Sequence, residues 1–256
     1  MRYLILILAL CTGLGVQAEP SIFVTNQSKH TTLINQNTQE VRPIASITKL
    51  MTALVAIESG IDLQARAPLI NQWSTVLPKR NYTRQELLTA MLVRSDNSAA
   101  ESLAHDYPGG RSAFIAAMNT TARRLGMTHT SFEDASGLSK NNVSTAQDLT
   151  YLLDQVYKIA IIKEISTRTM SSVTTQYKNK LKEIVFNNTN KPVLTEFQNV
   201  QLSKTGLTTP AGWCVSMVVE EKGQTHYIVV LGSRSKQARL DKVKDIMYNH
   251  IIGKLY

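Results

Sequence analysis

An α/β fold is predicted for this chain of 256 residues: a central antiparallel sheet flanked by helices, with a helical subdomain inserted into it. Three observations predict it. Short β-prone runs stand near both ends, helical periodicity fills the middle, and no repeat, low-complexity tract or Pro/Gly-rich linker marks a second domain. Strands from the two ends pair most economically in one sheet, which leaves the middle as an insertion.

The elements follow in chain order. Residues 1–18 combine Arg2, an apolar stretch from Leu4 to Leu14 and the small-x-small triplet Val16-Gln17-Ala18, the pattern of a signal peptide cleaved after Ala18. The stretch is shorter than the ~20 residues of a spanning helix, so a retained anchor is the weaker alternative. Cys11 follows the bulky Leu10, which speaks against lipidation. The expected location is the periplasm, with one domain over residues 19–256. Ser21-Ile-Phe-Val-Thr25 and Thr31-Thr-Leu-Ile-Asn35 flank a polar turn and predict a hairpin. From Ser46 the pattern becomes helical, with Leu50, Ala53, Leu54 and Ile57 at three- and four-residue steps and a stop at Gly60.

Residues from about 62 to 160 form the predicted helical subdomain. Its clearest segments are Arg84 to Leu92, Ser98 to His105, Arg111 to Leu125 and Thr145 to Tyr157, punctuated by Gly109-Gly110 and Gly126. Strands are predicted again at Gln201 to Thr205, Trp213 to Glu220 and Thr225 to Gly232, with Lys222-Gly223 turning between the last two. A final amphipathic helix carries Leu240, Val243, Ile246, Met247 and Ile251 on one face.

The formal charge is +9; without Arg2, 27 basic and 19 acidic residues leave +8. No run of Lys or Arg exceeds two residues, and the signal sequence directs the chain away from nucleic acid, so no nucleic-acid partner is expected. Anionic wall polymers or lipid headgroups are the expected counterparts, the latter giving at most peripheral membrane contact; a generally solvated basic surface is the plain alternative. Beyond Cys11 only Cys214 remains, so no intramolecular disulfide is expected, and its apolar run suggests a buried thiol. His30, His105, His129, His226 and His250 show no ligand spacing. Neither a metal nor another cofactor is expected, and the chain is expected to be a monomer.

Three motifs carry chemistry. Ser46-Ile-Thr-Lys49 puts a hydroxyl and an amine on one helical face, a nucleophile with a base that needs no histidine. The start of a helix favours the alkoxide developing at Ser46, although a helix-capping serine is the plain reading of that residue alone. With a free pKa near 10.4, Lys49 must be depressed by burial or by a neighbouring cation, for which Lys204 is the candidate. Ser95-Asp96-Asn97 lies between two helical segments. There Ser95 suits proton relay between Lys49 and a leaving amine, Asn97 suits hydrogen bonding to a substrate amide, and Asp96 suits holding the loop. Lys204-Thr205-Gly206 lies on a β-prone run. Its ammonium and hydroxyl suit a carboxylate, and Gly206 suits close approach of substrate backbone. Backbone N–H groups of Ser46 and Leu207 are the natural oxyanion hole.

Ser-x-x-Lys alone arises by chance about once in a chain of this length. A second copy, Ser233-Arg-Ser-Lys236, lacks the downstream motifs and reads as a solvated strand end. The three motifs in this order are far more specific. Together with Ala45 to Ala53, Arg94 to Ala100, Ser102 to Gly110, Ala135-Ser-Gly-Leu138, Asn188-Thr-Asn190 and Leu202 to Leu207, they make the chain resemble the low-molecular-mass penicillin-binding proteins. These are serine D,D-peptidases of the D-alanyl-D-alanine carboxypeptidase family, and the resemblance is greatest to the penicillin-binding protein seven type, the D-alanyl-D-alanine endopeptidases. It spans the chain from residue 19 onward and implies a β-lactamase/transpeptidase-like fold, peptidoglycan peptides as substrate and acylation by β-lactams.

Three alternatives remain at this stage. A D-alanyl-D-alanine carboxypeptidase is the first, and the 50 residues after Gly206 are expected to favour the endopeptidase because common carboxypeptidases continue into a further domain and tail. A class A-like β-lactamase is the second; Glu133 stands at a suitable distance, but Ser136-Gly137 replaces the Leu-Asn that would help hold a deacylating water. A non-catalytic wall-binding module is the third, against which all three motifs are intact.

Overall fold

The computed structural model describes residues 19–70, 74, 76–177 and 180–253. The segment read as a signal peptide lies outside the described residues. The first hairpin forms as expected, from β1 (Ser21–Asn26) and β2 (Thr31–Gln36). A two-residue strand β3 (Arg42–Pro43) leads to a 3-10 turn at Ala45–Ile47 and then α1 (Thr48–Glu58). Short strands β4 (Arg66–Pro68) and β5 (Asn81–Thr83) pair with each other ahead of α2 (Arg84–Thr89), which a Thr83–Glu86 capping box starts. A π turn over Ala90–Arg94 follows, then α3 (Asn97–His105) and α4 (Gly110–Arg124). Strand β6 (Val143–Ser144) pairs with β3, and α5 (Ala146–Val156) begins at its Thr145 cap.

Besides the short strands β3 to β6, four longer elements had no counterpart in the expectations: α6 (Ala160–Thr167), the hairpin of β7 (Met170–Tyr177) with β8 (Lys180–Asn187), and α7 (Lys191–Glu196). The chain then supplies β9 (Val200–Thr208), β10 (Gly212–Glu221), β11 (Gln224–Ser233) and α8 (Lys236–Ile246), the last continuing as a π turn to Ile252. The turn between β10 and β11 has Lys222 and Gly223 at φ +49° and +73°, the backbone a tight hairpin requires.

Strand order in the main sheet is β2-β1-β11-β10-β9, with every pairing antiparallel. Both ends of the described chain thus meet in its centre, and β9 forms one edge. Side chains of β1, β10 and β11 alternate between two cores. Ile22, Val24, Val215, Met217, Ile228 and Val230 pack with Val243 and Ile246 of α8. Phe23, Val218, Tyr227, Val229 and Leu231 face the core shared with α1 and α5. Helix α1 has nine of its eleven residues buried, so it is enclosed on all sides rather than amphipathic. Among the described residues no helix is long and apolar enough to cross a membrane.

One reading is corrected. Ser233 is not a solvated strand end: it is buried at the end of β11, and Ser235 accepts the Ala238 N–H at 3.0 Å as the cap of α8. The second Ser-x-x-Lys is therefore a strand-to-helix junction.

Candidate active site

Ser46 sits in the 3-10 turn that feeds α1, beside the edge strand β9. Two glycines make room for that turn. A Cβ on Gly137 would lie 2.0 Å from the Ala45 carbonyl oxygen, and one on Gly206 would lie 2.9 Å from the Ile44 oxygen and 3.1 Å from the Ser46 nitrogen. Gly206 lines the cleft as expected, but its missing side chain accommodates the Ser46 turn itself.

Lys49 follows one turn later and is fully buried. Its Nζ lies 2.8 Å from Ser46 Oγ and 2.8 Å from Asn97 Oδ1, and it also donates to the Ser136 carbonyl. An amide oxygen and a carbonyl can only accept, so they take two N–H bonds and leave the third direction of the nitrogen for the serine hydroxyl. A neutral amine fits this arrangement, with its lone pair toward Ser46. Burial lowers the Lys49 pKa to about 7, against the opposing pull of Asp134, Asp96 and Glu101.

Ser95 and Asn97 reach the cleft because the helix before them widens and then breaks. The π turn ends at Ser95 in left-handed backbone, φ 65° and ψ 33°. Asp96 then turns inward, accepting from Ala99 N at 2.9 Å and from the Ser74 hydroxyl at 2.7 Å, the loop-holding role read for it. Lys204, on β9 and 1% exposed, donates to Ser95 Oγ at 2.9 Å and to the Thr205 carbonyl at 2.9 Å. Burial, then Lys49, then Arg239 push its pKa well below that of a free lysine. Of the two causes expected for Lys49, burial or a neighbouring cation, it is burial that lowers its pKa, while at Lys204 the neighbouring Lys49 adds to burial. Thr205 Oγ1 bonds to Thr189 Oγ1 at 2.7 Å. The structure therefore brings Ser46, Lys49, Ser95, Asn97, Lys204, Thr205 and Gly206 together, and Leu207 lines the same cleft of about 520 Å³.

Two further contributors had no role in the peptidase chemistry expected from the motifs. The first is the loop from Glu133 to Asn142. Asp134 accepts from the N–H groups of Ser136, Gly137 and Ser139, and Thr52 of α1 donates to the Ala135 carbonyl at 2.6 Å. Glu101 takes the Ala135 N–H and pairs with Arg111. These bonds aim the Ser136 carbonyl at Lys49. The second is Arg239 of α8, 3% exposed, which lies over the Trp213 ring at 5.8 Å and lines the cleft. Its only signal in the sequence was a cation on an otherwise apolar helix face.

Residues 12–235 match the family described as D-alanyl-D-alanine carboxypeptidase. The chain belongs to that family, and it is a serine hydrolase of it. The D-alanyl-D-alanine endopeptidase of Pseudomonas aeruginosa is 37% identical over 88% of this chain and 75% of its own length. The Streptomyces K15 DD-transpeptidase superposes with a TM-score of 0.82 at 27% identity, covering 89% of this chain and 94% of its own. Penicillin-binding protein D2 of Listeria monocytogenes, solved in an ampicillin-bound form, gives a TM-score of 0.79 at 30% identity over 89% and 94%. The family fold is the β-lactamase-like one expected from the motifs, with its central antiparallel sheet and flanking helices.

Proposed function

We propose that this chain is a serine D,D-peptidase acting on peptidoglycan stem peptides through an acyl-enzyme, and that it cleaves D-alanyl-D-alanine cross-links as an endopeptidase. The observation that carries the reading is the Lys49 Nζ to Ser46 Oγ distance of 2.8 Å beside a Lys204–Ser95 contact of 2.9 Å in one cleft. Neutral Lys49 takes the Ser46 proton as Oγ attacks the D-alanyl carbonyl carbon. The oxyanion settles on the N–H groups of Ser46 and Leu207. Ser95 gives its proton to the leaving nitrogen as the C–N bond breaks and is replenished by the proton that Lys49 took. Water then repeats the attack in reverse, with Lys49 again as base, and releases the acid and free Ser46.

Lys204, Thr205 and Arg239 supply the charge and hydroxyl for the carboxylate next to the scissile bond, and Asn97 Nδ2 suits the substrate amide. A carboxylate arriving there provides a countercharge for Lys204 and so favours its ammonium form. The endopeptidase preference is supported by the 37% identity to an endopeptidase. Export to the periplasm, by the segment 1–18, is part of the same proposal, because the substrate lies there. Digestion of purified cross-linked muropeptides tests the reading. Conversion of dimers to monomers by the wild type and not by Ser46→Ala is expected; removal of terminal D-alanine alone would make it a carboxypeptidase.

A further inference from the structure

The cleft around Ser46 is lined by cations that have no ion-pair partner among the described residues. Lys236 and Arg239 of α8 stand on one wall, next to Trp213, which pairs with Leu207 across β10 and β9. Arg94, immediately before Ser95, and Lys191, the first residue of α7, stand on the wall where Thr189 N donates to the Val93 carbonyl at 3.1 Å. No carboxylate is among the described residues lining the cleft. Arg94 is exposed and has no ion-pair partner among the described residues, and Lys191 donates to the neutral amide oxygen of Asn187 at 3.1 Å. Arg84, Arg124 and Arg168 pair with Asp106, Glu58 and Glu164, whereas the exposed Arg66, Arg123 and Arg234 form no ion pair among the described residues; what sets Arg94 apart from these is its place in the cleft.

One substrate carboxylate accounts for Lys204, Thr205 and Arg239. It leaves Arg94 and Lys191 unexplained, because both line the cleft and neither has a carboxylate partner among the described residues. We infer that Arg94 and Lys191 form a second anion subsite, and that the enzyme selects D,D-peptides bearing a further free carboxylate over those in which it is amidated. The inference rests on the D,D-peptidase reading and narrows its substrate class. A cation pair facing an otherwise neutral wall gains nothing from an amide, but it attracts and holds a carboxylate brought within a few ångströms.

The test uses two synthetic cross-linked D,D-peptide dimers identical except that one side-chain carboxylate is free or a primary amide. The wild type is expected to show a kcat/KM about fivefold higher on the free acid, carried by KM, the size that solvent-exposed ion pairs reach. In ~1 M salt, where the screening length falls to about 3 Å, that ratio is expected to approach one. The double variant Arg94→Gln/Lys191→Gln is expected to bring the ratio to about one at low salt, while Arg94→Lys keeps the preference. Equal wild-type rates on acid and amide, or an unchanged ratio in the double variant, would overturn the subsite. Failure of the wild type to cleave either dimer would overturn the endopeptidase reading beneath it instead.

Discussion

In the proposed mechanism Lys49 is the base, with Lys204 buried in the same cleft and no histidine required. Both amino groups are buried, and the three positions around Lys49 Nζ are occupied by two pure acceptors and the Ser46 hydroxyl. With its pKa near 7, Lys49 is protonated in acid and is a base only above that range. Acylation by penicillin should therefore accelerate as pH rises through about 7 and level off above it, read as the second-order labelling rate between pH 5 and 9. A rate that falls across that interval would remove Lys49 as the base. Lys49→Arg is expected to lose acylation by at least about a hundredfold, the lower end of what a positioned base contributes, because guanidinium stays protonated. Much of this was legible beforehand, since the chemistry requires these residue types at these spacings. Arg239 was not: a cation on a helix face is ordinarily solvated, and only the fold turns this one inward over Trp213.

At the scale of elements, the Glu133–Asn142 loop acts as a clamp between α1 and the catalytic turn. Asn142 Nδ2 bonds to the Thr48 hydroxyl and the Asp134 carbonyl, while its backbone carbonyl receives the Ile44 N–H at 3.0 Å. Gly137 closes the clamp at φ +82° with no room for a methyl group. Gly137→Ala combines a left-handed alanine with a backbone collision, for an expected loss of about 3 kcal/mol or more, and hence a Tm lower by roughly 6–12 °C in a domain of this size. Differential scanning calorimetry would read it, and an unchanged Tm would show that the turn has slack. The strongly periodic elements were legible because their apolar spacing matches the faces they bury. The β7–β8 hairpin was not, for its strands are rich in Ser, Thr and Lys, and Leu181 and Val185 point to solvent while only a few side chains such as Val173 and Phe186 are buried. Nothing in so polar an alternation distinguishes a projecting ribbon from a loop.

In the whole molecule, the proposed nucleophile, relay serine and carboxylate site arrive from three distant stretches of chain. The sheet joins them, since its edge strand β9 carries Lys204 against both the α1 turn and the Ser95 turn. The same assembly decides how a β-lactam adduct would fare. Acylation needs Ser46, Lys49, Ser95 and the two N–H groups, all of which meet in the cleft. Release of the adduct needs a second base holding a water near the ester, because the opened lactam ring keeps its amine tethered over the acyl carbon. Glu133 is the residue at the spacing for that task, yet its carboxylate accepts from the Ser139 hydroxyl at 2.8 Å and the Asn141 amide at 2.9 Å on the exposed side of the clamp. The loop presents the Ser136 carbonyl to Lys49, an acceptor that fixes the amine rather than a carboxylate that could activate water. Penicillin is therefore expected to leave an adduct on Ser46 that persists for minutes or longer, followed by intact-protein mass spectrometry after free drug is removed. Glu133→Gln should leave that lifetime unchanged within about twofold, since the carboxylate serves the loop. Clearance within seconds, slowed by the Glu133 substitution, would show that the clamp opens to admit a deacylating water and that the fold here hydrolyses β-lactams.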